Sequence, residues 1–238
     1  MRLHDFSVLT FDCYGTLIDW EAGLVRALQP LVDAGRLTLS RDELLAEFGR
    51  HESAQQSATP RMRYPELLAT VHRRLAAHWE VYLPEDAHAA FGASVGKWPA
   101  FADSADALRY LKRHYPLVIL SNVDRASFAQ SQAQLGVEFD AICTAEDIGS
   151  YKPDPRNFAY LIETVGRLGI PRSQILHTAQ SLHHDHAPAH QAGLATAWID
   201  RRHDQQGWGA TRPPQGTPPF DFRFVSMAAM AQAHAAEA

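Results

Sequence analysis

Short apolar runs recur along the chain and alternate with amphipathic stretches. The apolar runs occupy residues 7–12, 116–121, 140–144, 174–179 and 195–200. The stretches 104–114, 125–135, 156–168 and 186–192 show the three-to-four-residue spacing of helices. Strands that are apolar on both faces and alternate with helices predict an open, parallel α/β sheet. The segment 222–225 and the alanine-rich tail that follows it predict a last strand and helix.

The stretch 19–95 breaks this alternation. Its apolar positions, such as Leu24, Leu28 and Leu31, repeat at helical spacing, and no strand pattern appears among them. We therefore predict a helical cap inserted after the first strand, with residues 1–18 and 96–238 forming the core. In open α/β folds ligands bind at the carboxyl ends of the strands, so this insertion would cover the site and exclude water from it.

Composition and charge narrow the class of protein. The 238 residues are 46% hydrophobic and 21% charged, which is typical of globular proteins. A net charge of -5 gives no reason to expect a nucleic acid or an anionic membrane as partner. Cys13 and Cys143 cannot form a disulfide framework, and Asp5 lies where a signal peptide would be apolar. No apolar stretch approaches the roughly 18 residues of a membrane span. We expect a cytoplasmic protein.

Polar residues of distinct chemistry follow the predicted strands. Asp12 ends the first strand, Ser121 and Asn122 end the second, Lys152 follows the third, and Asp185 follows the fourth. If the sheet is parallel, these residues converge on one crevice. Each alone is more often a cap or turn residue. Four such groups at successive strand ends indicate a catalytic site that contains two carboxylates, a hydroxyl and an ammonium group.

The order and spacing of these residues resemble the haloacid dehalogenase superfamily over essentially the whole chain. The four motifs of that superfamily correspond to Asp12, Tyr14 and Thr16 in the first, Ser121 in the second and Lys152 in the third, while Gln180 and Asp185 represent the acidic pair of the fourth. The resemblance implies a Rossmann-like core with an open parallel sheet. It also implies that the inserted helices correspond to the cap of the superfamily.

Two positions distinguish between the activities found in the superfamily. Most members are magnesium-dependent phosphatases, which carry a second Asp at the position of Tyr14 to protonate an alkoxide leaving group. A halide ion needs no such proton. Those phosphatases also carry an Asp at the position of Gln180, so only Asp12 and Asp185 remain here of the usual acidic set. We therefore predict that the protein uses no metal and no other cofactor.

The Asp-x-Tyr-Gly-Thr, Ser-Asn and Tyr-Lys-Pro-Asp-Pro sequences resemble the L-2-haloacid dehalogenases in particular. The resemblance implies that Asp12 attacks C2 of a short-chain 2-haloalkanoic acid, and that water hydrolyses the resulting ester to a 2-hydroxy acid. Lys152 would keep Asp12 ionised, and Asp185 would position or activate the water. Thr16 and Ser121 would bind the substrate carboxylate or the oxyanion.

The same resemblance suggests which residues contact the substrate. Tyr14, Asn122 and Gln180 are the candidates in the core. An arginine of the cap grips the leaving halide in these dehalogenases, and Arg50 best fits the helix that contributes it. The alternative arginines are Arg41, Arg61 and Arg63. Trp20, Trp98 and Tyr64 are further candidates for lining the pocket between core and cap.

Some residues depart from the dehalogenase pattern. Phe158 stands where those enzymes have a tyrosine. Their fourth motif carries a serine and an asparagine shortly before the Asp, whereas residues 179–185 here are Ala-Gln-Ser-Leu-His-His-Asp. His184 is the histidine that we would test for a catalytic role. The spacing of His183, His186 and His190 allows a transition-metal site, although surface or supporting histidines are several times more common.

Other functions remain open at this stage. They are a magnesium-dependent phosphatase, a non-catalytic binding protein on the same scaffold, and a ring-opening hydrolase of a strained amino acid. Related enzymes are often dimers, so a homodimer is possible by analogy.

Overall fold

The computed structural model describes residues 1–237 and has one six-stranded sheet at its centre. In chain order the strands are β1 (Val8–Phe11), β2 (Leu117–Ser121), β3 (Ala141–Thr144), β4 (Ile175–Ala179), β5 (Ala195–Ile199) and β6 (Phe222–Phe224). Their order across the sheet is β3-β2-β1-β4-β5-β6, and every neighbouring pair is parallel. The predicted α/β fold with an open parallel sheet is confirmed.

Helices occupy the connections between the strands. They are α1 (Trp20–Gly35), α2 (Arg41–Ala58), α3 (Tyr64–His78), α4 (Glu85–Gly92), α5 (Ser104–Leu111), α6 (Arg125–Leu135), α7 (Ala145–Ile148), α8 (Pro155–Arg167), α9 (Ala187–Gln191) and α10 (Met227–Ala236). Five of them, α1 to α5, lie between β1 and β2 in the chain, and α1 to α4 fall within residues 19–95. The division into a core and a cap at residues 18 and 96 stays a prediction.

Local sequence signals explain several helix ends. The Ser40 hydroxyl accepts the N–H of Glu43, and the Glu43 carboxylate accepts the N–H of Ser40, so α2 begins with a capping box. Asp124 caps α6 by accepting the N–H of Ser127. The same helix ends at Gly136, whose φ of 63° is a left-handed conformation that glycine adopts without strain.

The hydrophobic core lies on both faces of the sheet. Every residue of β1, β2 and β4 is buried, whereas β3 and β6 at the two edges are partly exposed. In the sheet, β2 and β3 lie on one side of β1, and β4, β5 and β6 lie on its other side. The strand order therefore reverses between β1 and β4, and a ligand crevice is expected at the carboxyl ends of these two strands.

Two further sequence predictions concern the chain as a whole. Cys13 and Cys143 are both buried and free, so they form no disulfide with each other. Among residues 1–237, no helix is both long enough and apolar enough to cross a membrane.

Candidate active site

Asp12 is the first residue after β1 and lies at the crevice. Its side chain is largely buried and accepts two hydrogen bonds, one from the Lys152 ammonium at 2.9 Å and one from the Thr16 hydroxyl at 2.8 Å. The turn that brings Thr16 back to Asp12 passes through Gly15, whose φ of 94° favours glycine. The Thr16 oxygen also accepts the backbone N–H of Gln180 at 2.9 Å. Thr16 therefore donates its only hydroxyl proton to Asp12, and this contact orients Asp12 rather than a substrate oxygen.

Lys152 connects the two carboxylates of the site. Its ammonium donates to Asp12 at 2.9 Å, to Asp185 at 2.6 Å and to the carbonyl of Leu120 at 3.1 Å. Only 2% of the residue is exposed, so all three of its protons have a partner inside the protein. Burial opposes the charged form, but the two carboxylates outweigh this effect and raise the pKa of Lys152. Lys152 is therefore a permanent cation at neutral pH.

Asn122 holds the backbone of Lys152. Its side-chain oxygen accepts the N–H of Lys152 at 2.6 Å, and its side-chain nitrogen donates to the carbonyl of the same residue at 3.1 Å. The sequence analysis expected Asn122 to contact substrate or to hold Asp12. The structure shows a positioning role at Lys152, while Asn122 also lines the cavity.

His177 is a buried member of the site that the sequence analysis did not select. From the middle of β4, its Nε2 donates to the Asp185 carboxylate at 3.0 Å, and its Nδ1 lies 2.8 Å from the hydroxyl of Thr10 on β1. A histidine inside an otherwise apolar strand needs buried polar partners, and this requirement was the available signal in the sequence. Phe158 stands where the dehalogenases have a tyrosine. Its ring packs edge-on against the His177 ring, with 5.3 Å between the two ring centroids.

The two carboxyl groups have different acidities. Burial alone would raise the pKa of Asp185, but Lys152 and His177 outweigh it and lower this pKa well below its ordinary value. Burial raises the pKa of Asp12, the charge of Asp185 adds to the increase, and Lys152 and Thr16 only partly oppose it. Asp185 therefore carries the permanent negative charge that balances Lys152, and Asp12 is the group that titrates.

These residues surround a cavity of about 50 Å³. Its lining from the strand ends and the loops after them is Asp12, Tyr14, Asn122, Lys152, Gln180, Ser181, His184, Asp185 and Thr211. Its lining from helices α1, α2 and α3 is Trp20, Glu52, Gln56 and Tyr64. A space of this size holds a molecule of only a few heavy atoms. Trp20 and Tyr64 line the cavity as expected, whereas Trp98 does not belong to the lining.

Of the remaining core candidates, Tyr14 and Gln180 line this cavity, whereas Thr16 and Ser121 do not. The Tyr14 hydroxyl is 2.9 Å from the hydroxyl of Ser131, which holds its ring against the cavity wall. The side-chain oxygen of Gln180 accepts the hydroxyl of Thr211 at 3.3 Å. The Ser121 hydroxyl is buried at the end of β2 and has no hydrogen-bond partner within residues 1–237. A buried hydroxyl without a partner is available to bind a small ligand.

Arg50 does not reach the Asp12 cavity. Its side chain is 57% exposed, pairs with Glu47 at 2.6 Å and lines a separate cavity of about 580 Å³ between α2 and residues 208–213. Residues 50 and 52 of α2 point in different directions, because two positions along a helix correspond to a rotation of about 200°. Glu52, not Arg50, therefore faces Asp12.

The alternative arginines are not in the lining either. Arg41 lies 3.5 Å from Glu21, and Arg63 lies 3.1 Å from Glu146. Within the described part of the chain no arginine, Arg61 included, lines the cavity that contains Asp12. The structure therefore does not bring the expected halide-binding arginine to this cavity.

The histidines of the fourth motif do not form a cluster of metal ligands among the described residues. His184 lines the cavity, and its Nδ1 lies 3.1 Å from the hydroxyl of Ser181. Burial lowers the pKa of His184 to about 3, so its ring is neutral near pH 7. His186 is buried and contacts the carbonyl of Ala179 at 3.0 Å. None of the described residues, which include His183 and His190, forms a group of three potential metal ligands.

The donor set also does not fit magnesium, the ion used by many members of the superfamily. Both oxygens of Asp12 accept hydrogen bonds from Lys152 and Thr16, and one oxygen of Asp185 accepts from both Lys152 and His177. Magnesium prefers several anionic oxygen ligands in octahedral geometry. Here the ammonium of Lys152 already occupies the space between the two carboxylates.

Known proteins share this arrangement of sequence and fold. The haloacid dehalogenase-like hydrolase family model matches residues 6–193. An (S)-2-haloacid dehalogenase from Pseudomonas putida is 26% identical over 206 residues, covering 82% of this chain and 84% of the relative. An L-2-haloacid dehalogenase from Xanthobacter autotrophicus, solved with chloropropionic acid covalently bound, matches with a TM-score of 0.78 and 16% identity over 98% of this chain and 100% of the other.

A second solved structure has a similar fold. It is a putative HAD-hydrolase from Bacillus subtilis bound to magnesium, with a TM-score of 0.76 and 18% identity over 99% of this chain and 100% of the other. The family match covers most of the chain, and the fold agrees with it. The protein therefore belongs to the haloacid dehalogenase-like hydrolase family.

Proposed function

We propose that this protein hydrolyses short-chain 2-haloalkanoic acids through an ester of Asp12, without a metal ion. The observation that carries the proposal is the environment of Asp12, a carboxylate held by Lys152 and Thr16 at the edge of a small cavity. The ammonium of Lys152 is its cationic partner. The names of the related Pseudomonas enzymes support the same chemistry.

In the first step Asp12 displaces the halide. One oxygen of its carboxylate forms a bond to C2 of the substrate, and the halide leaves from the opposite side with the bonding electrons. Lys152 and Thr16 fix the orientation of the carboxylate, which lowers the entropic cost of reaching the in-line geometry. Ser121, whose buried hydroxyl is unpaired within residues 1–237, would bind the carboxylate of the substrate.

In the second step water hydrolyses the ester. Water attacks the carboxyl carbon of Asp12, and the bond from that carbon to the oxygen now attached to C2 breaks. The products are the 2-hydroxy acid, the Asp12 carboxylate with one oxygen from water, and one proton. The hydrogen bond from Lys152 or Thr16 remains on the oxygen that did not attack, where negative charge develops. Asp185, whose low pKa makes it a weak base, serves to hold Lys152 and to orient the water.

The proposal is tested by halide release from 2-chloropropanoate with and without a chelator. We expect turnover that a chelator does not change, and a loss of at least about 10⁴-fold in Asp12→Asn because the nucleophile is gone. Asp33→Asn, which changes an exposed carboxylate bonded to Gln29, is the matched control and should retain activity. Magnesium-dependent turnover of an aryl phosphate with no halide from any short 2-haloacid would overturn the proposal.

A further inference from the structure

Glu52 places a third carboxyl group in the Asp12 cavity, on the side formed by the helices. The residue is 7% exposed, and its Oε1 accepts the hydroxyl of Tyr64 at 2.7 Å. Among residues 1–237 this is the only hydrogen bond to the Glu52 carboxyl, and no cation pairs with it. A buried carboxyl group with one neutral donor and no cation is expected to be protonated. Its Oε2 is therefore free to donate to a molecule in the cavity.

The carboxylate of a 2-haloacid meets no free cation in this cavity. All three protons of the Lys152 ammonium are bonded inside the protein, and no arginine of residues 1–237 belongs to the lining. Asp12 and Asp185 together already exceed the charge of Lys152. An ionised Glu52 would add to this excess and repel the substrate. The substrate anion must therefore be held by neutral hydrogen-bond donors.

Neutral donors on the helix side are few. Glu52, Gln56 and Tyr64 are the polar side chains that α2 and α3 place in the cavity. Tyr64 has one hydroxyl proton and donates it to Glu52, so it has none left for a ligand. The remaining donors are the protonated Oε2 of Glu52 and the side-chain amide of Gln56. Of these two, only Glu52 changes its charge with pH.

We propose that Glu52, in its neutral carboxylic acid form, recognises the carboxylate of the 2-haloacid by donating a hydrogen bond from Oε2 to one carboxylate oxygen. The proton stays on Glu52 throughout, and the halide leaves as a free anion. The Ser121 hydroxyl has only one proton, so it can serve only one of the two carboxylate oxygens. This inference deepens the proposed function and rests on it, because the bound acid is the one that Asp12 attacks.

This hydrogen bond makes binding of the substrate depend on pH. A hydrogen bond from a carboxylic acid to a carboxylate is charge-assisted, and the anion in turn stabilises the proton on Glu52. In the free protein burial raises the pKa of Glu52 to about 7, and the hydrogen bond from Tyr64 partly opposes this increase. Above this pH the protein must take up a proton to bind the anion, so binding weakens by about tenfold for each pH unit.

Several titratable groups surround Glu52. Tyr64 faces it from α3 and Tyr151 from the loop before α8, and burial raises the pKa of both, so both stay neutral. The titratable groups that share the cavity are Asp12, Tyr14, Lys152, His184 and Asp185. Lys152 stays charged and His184 stays neutral near pH 7. Asp12, whose pKa is also raised, is the other group that can take up a proton when an anion binds.

The first test measures kcat/KM for 2-chloropropanoate from pH 6 to pH 9 in the wild type and in Glu52→Gln. Glutamine still accepts from Tyr64 and still offers an N–H to the substrate, but it does not titrate. The pH dependence of kcat/KM reports groups of the free enzyme. We expect the ratio of the wild-type value to the Glu52→Gln value to fall by about tenfold from pH 6 to pH 8. The change should lie in KM rather than in kcat, because Glu52 contributes to binding.

Two further variants show whether the hydrogen bond itself matters. Glu52→Leu removes the donor, and we expect it to raise KM at pH 6 by about tenfold or more, which is typical of a lost hydrogen bond to a charged group. Glu52→Gln should restore most of this loss. Gln56→Leu is the matched control, because it changes the neighbouring polar group without changing the pH dependence. If Glu52→Leu fails to fold, the comparison of the wild type with Glu52→Gln still decides.

The second test measures proton uptake directly. In Asp12→Asn, 2-chloropropanoate binds without being turned over, and residue 12 no longer titrates. Calorimetric titration at pH 8 in two buffers of different ionisation enthalpy gives the number of protons taken up. We expect about one proton for each anion bound, and none in Asp12→Asn with Glu52→Gln. Propanamide, which has no charge, should bind without proton uptake.

The possible outcomes separate this inference from the proposed function. A wild-type to Glu52→Gln ratio that is the same at every pH indicates a merely structural role and would overturn the inference. Binding of 2-chloropropanoate to Asp12→Asn without proton uptake would also overturn it. If the wild type releases no halide from any short 2-haloacid, the proposed function fails, whereas the calorimetric titration still decides separately whether Glu52 binds a carboxylate.

Discussion

The two sides of the Asp12 cavity are built in different ways. The side formed by the strand ends carries the charges, because Asp12, Lys152 and Asp185 lie there with every proton of the ammonium group bonded. The side formed by the helices carries no permanent charge in the cavity. Its polar groups, such as Glu52 and Tyr64, make few hydrogen bonds.

This difference reflects what each side must hold in place. Two buried carboxylates and an ammonium group are costly to remove from water unless they are kept at contact distance. Buried central strands provide that rigidity. β1 pairs with both β2 and β4, and the carboxyl ends of the three strands meet at one edge of the sheet. The helices can therefore vary their lining residues and change the substrate, while the nucleophile and its cation stay in place.

The largest expected effect comes from removing the cation of the strand-end side. Lys152→Met leaves Asp12 and Asp185 buried without a counter-charge, and we expect a loss of about 3–5 kcal/mol in the free energy of unfolding at pH 7. The loss should be smaller at pH 5, because the carboxyl groups can then take up protons. Denaturant unfolding at both pH values measures it.

A matched control for this prediction is Lys112→Met, which breaks the partly exposed pair with Asp140. Such pairs contribute about 1 kcal/mol or less. Equal effects of the two substitutions would show that the buried charges do not depend on Lys152.

On the helix side, the effect of Glu52 on stability should depend on pH. Its folded pKa of about 7 lies above the ordinary 4.5, so its ionisation destabilises the folded protein. As the pH rises from 4.5 to 7, the ionisation of Glu52 lowers the free energy of unfolding of the wild type by about 3 kcal/mol. Glu52→Gln lacks the titration, so its stability relative to the wild type should increase by this amount over that range.

Unfolding of both proteins by denaturant at pH 4.5, 6 and 8 measures this difference. Glu43→Gln on the same helix is the control with the opposite sign. Hydrogen bonds from Ser40 lower the pKa of Glu43, so this carboxylate stabilises the folded protein above its ordinary pKa. A stability difference between Glu52→Gln and the wild type that does not change with pH would contradict the protonated state of Glu52.

The smallest expected effect is that of Arg50→Ala. The side chain is exposed and lines the 580 Å³ cavity rather than the Asp12 cavity. We expect kcat/KM for bromoacetate to remain within about twofold of the wild type, which corresponds to the small free-energy effect of most surface substitutions. A loss of 100-fold would mean that the helix side reorganises to bring Arg50 to the leaving halide.

The strands were predictable because each buried strand is a short apolar run bounded by polar residues. All six predicted runs are strands, with ends that differ by at most one residue. The one-turn helix α7 was not predicted, because four residues are too few to show a helical period. Nor was the π-helical turn Leu182–His186, which sets the position of Asp185, because its hydrogen bonding leaves no pattern of apolar residues.

The candidate site was predictable where it follows the strand ends. Asp12, Lys152 and Asp185 come together because parallel strands end at one edge of the sheet, and their order along the chain is enough to predict this. Glu52 and His177 were missed for a different reason. Their importance depends on which side chains face them from other elements, and a linear pattern does not contain that information.

The hydrophobic pattern was enough to predict the parallel sheet, and the motifs were enough to predict the family and the charged residues at the strand ends. These depend on local hydrophobic patterns and on fixed motif spacing. The residues of α2 that line the Asp12 cavity depend instead on how this helix packs, because a shift of two positions along a helix rotates a side chain by about 200°. This packing puts Glu52 in the lining of the Asp12 cavity and leaves Arg50 in the lining of another cavity.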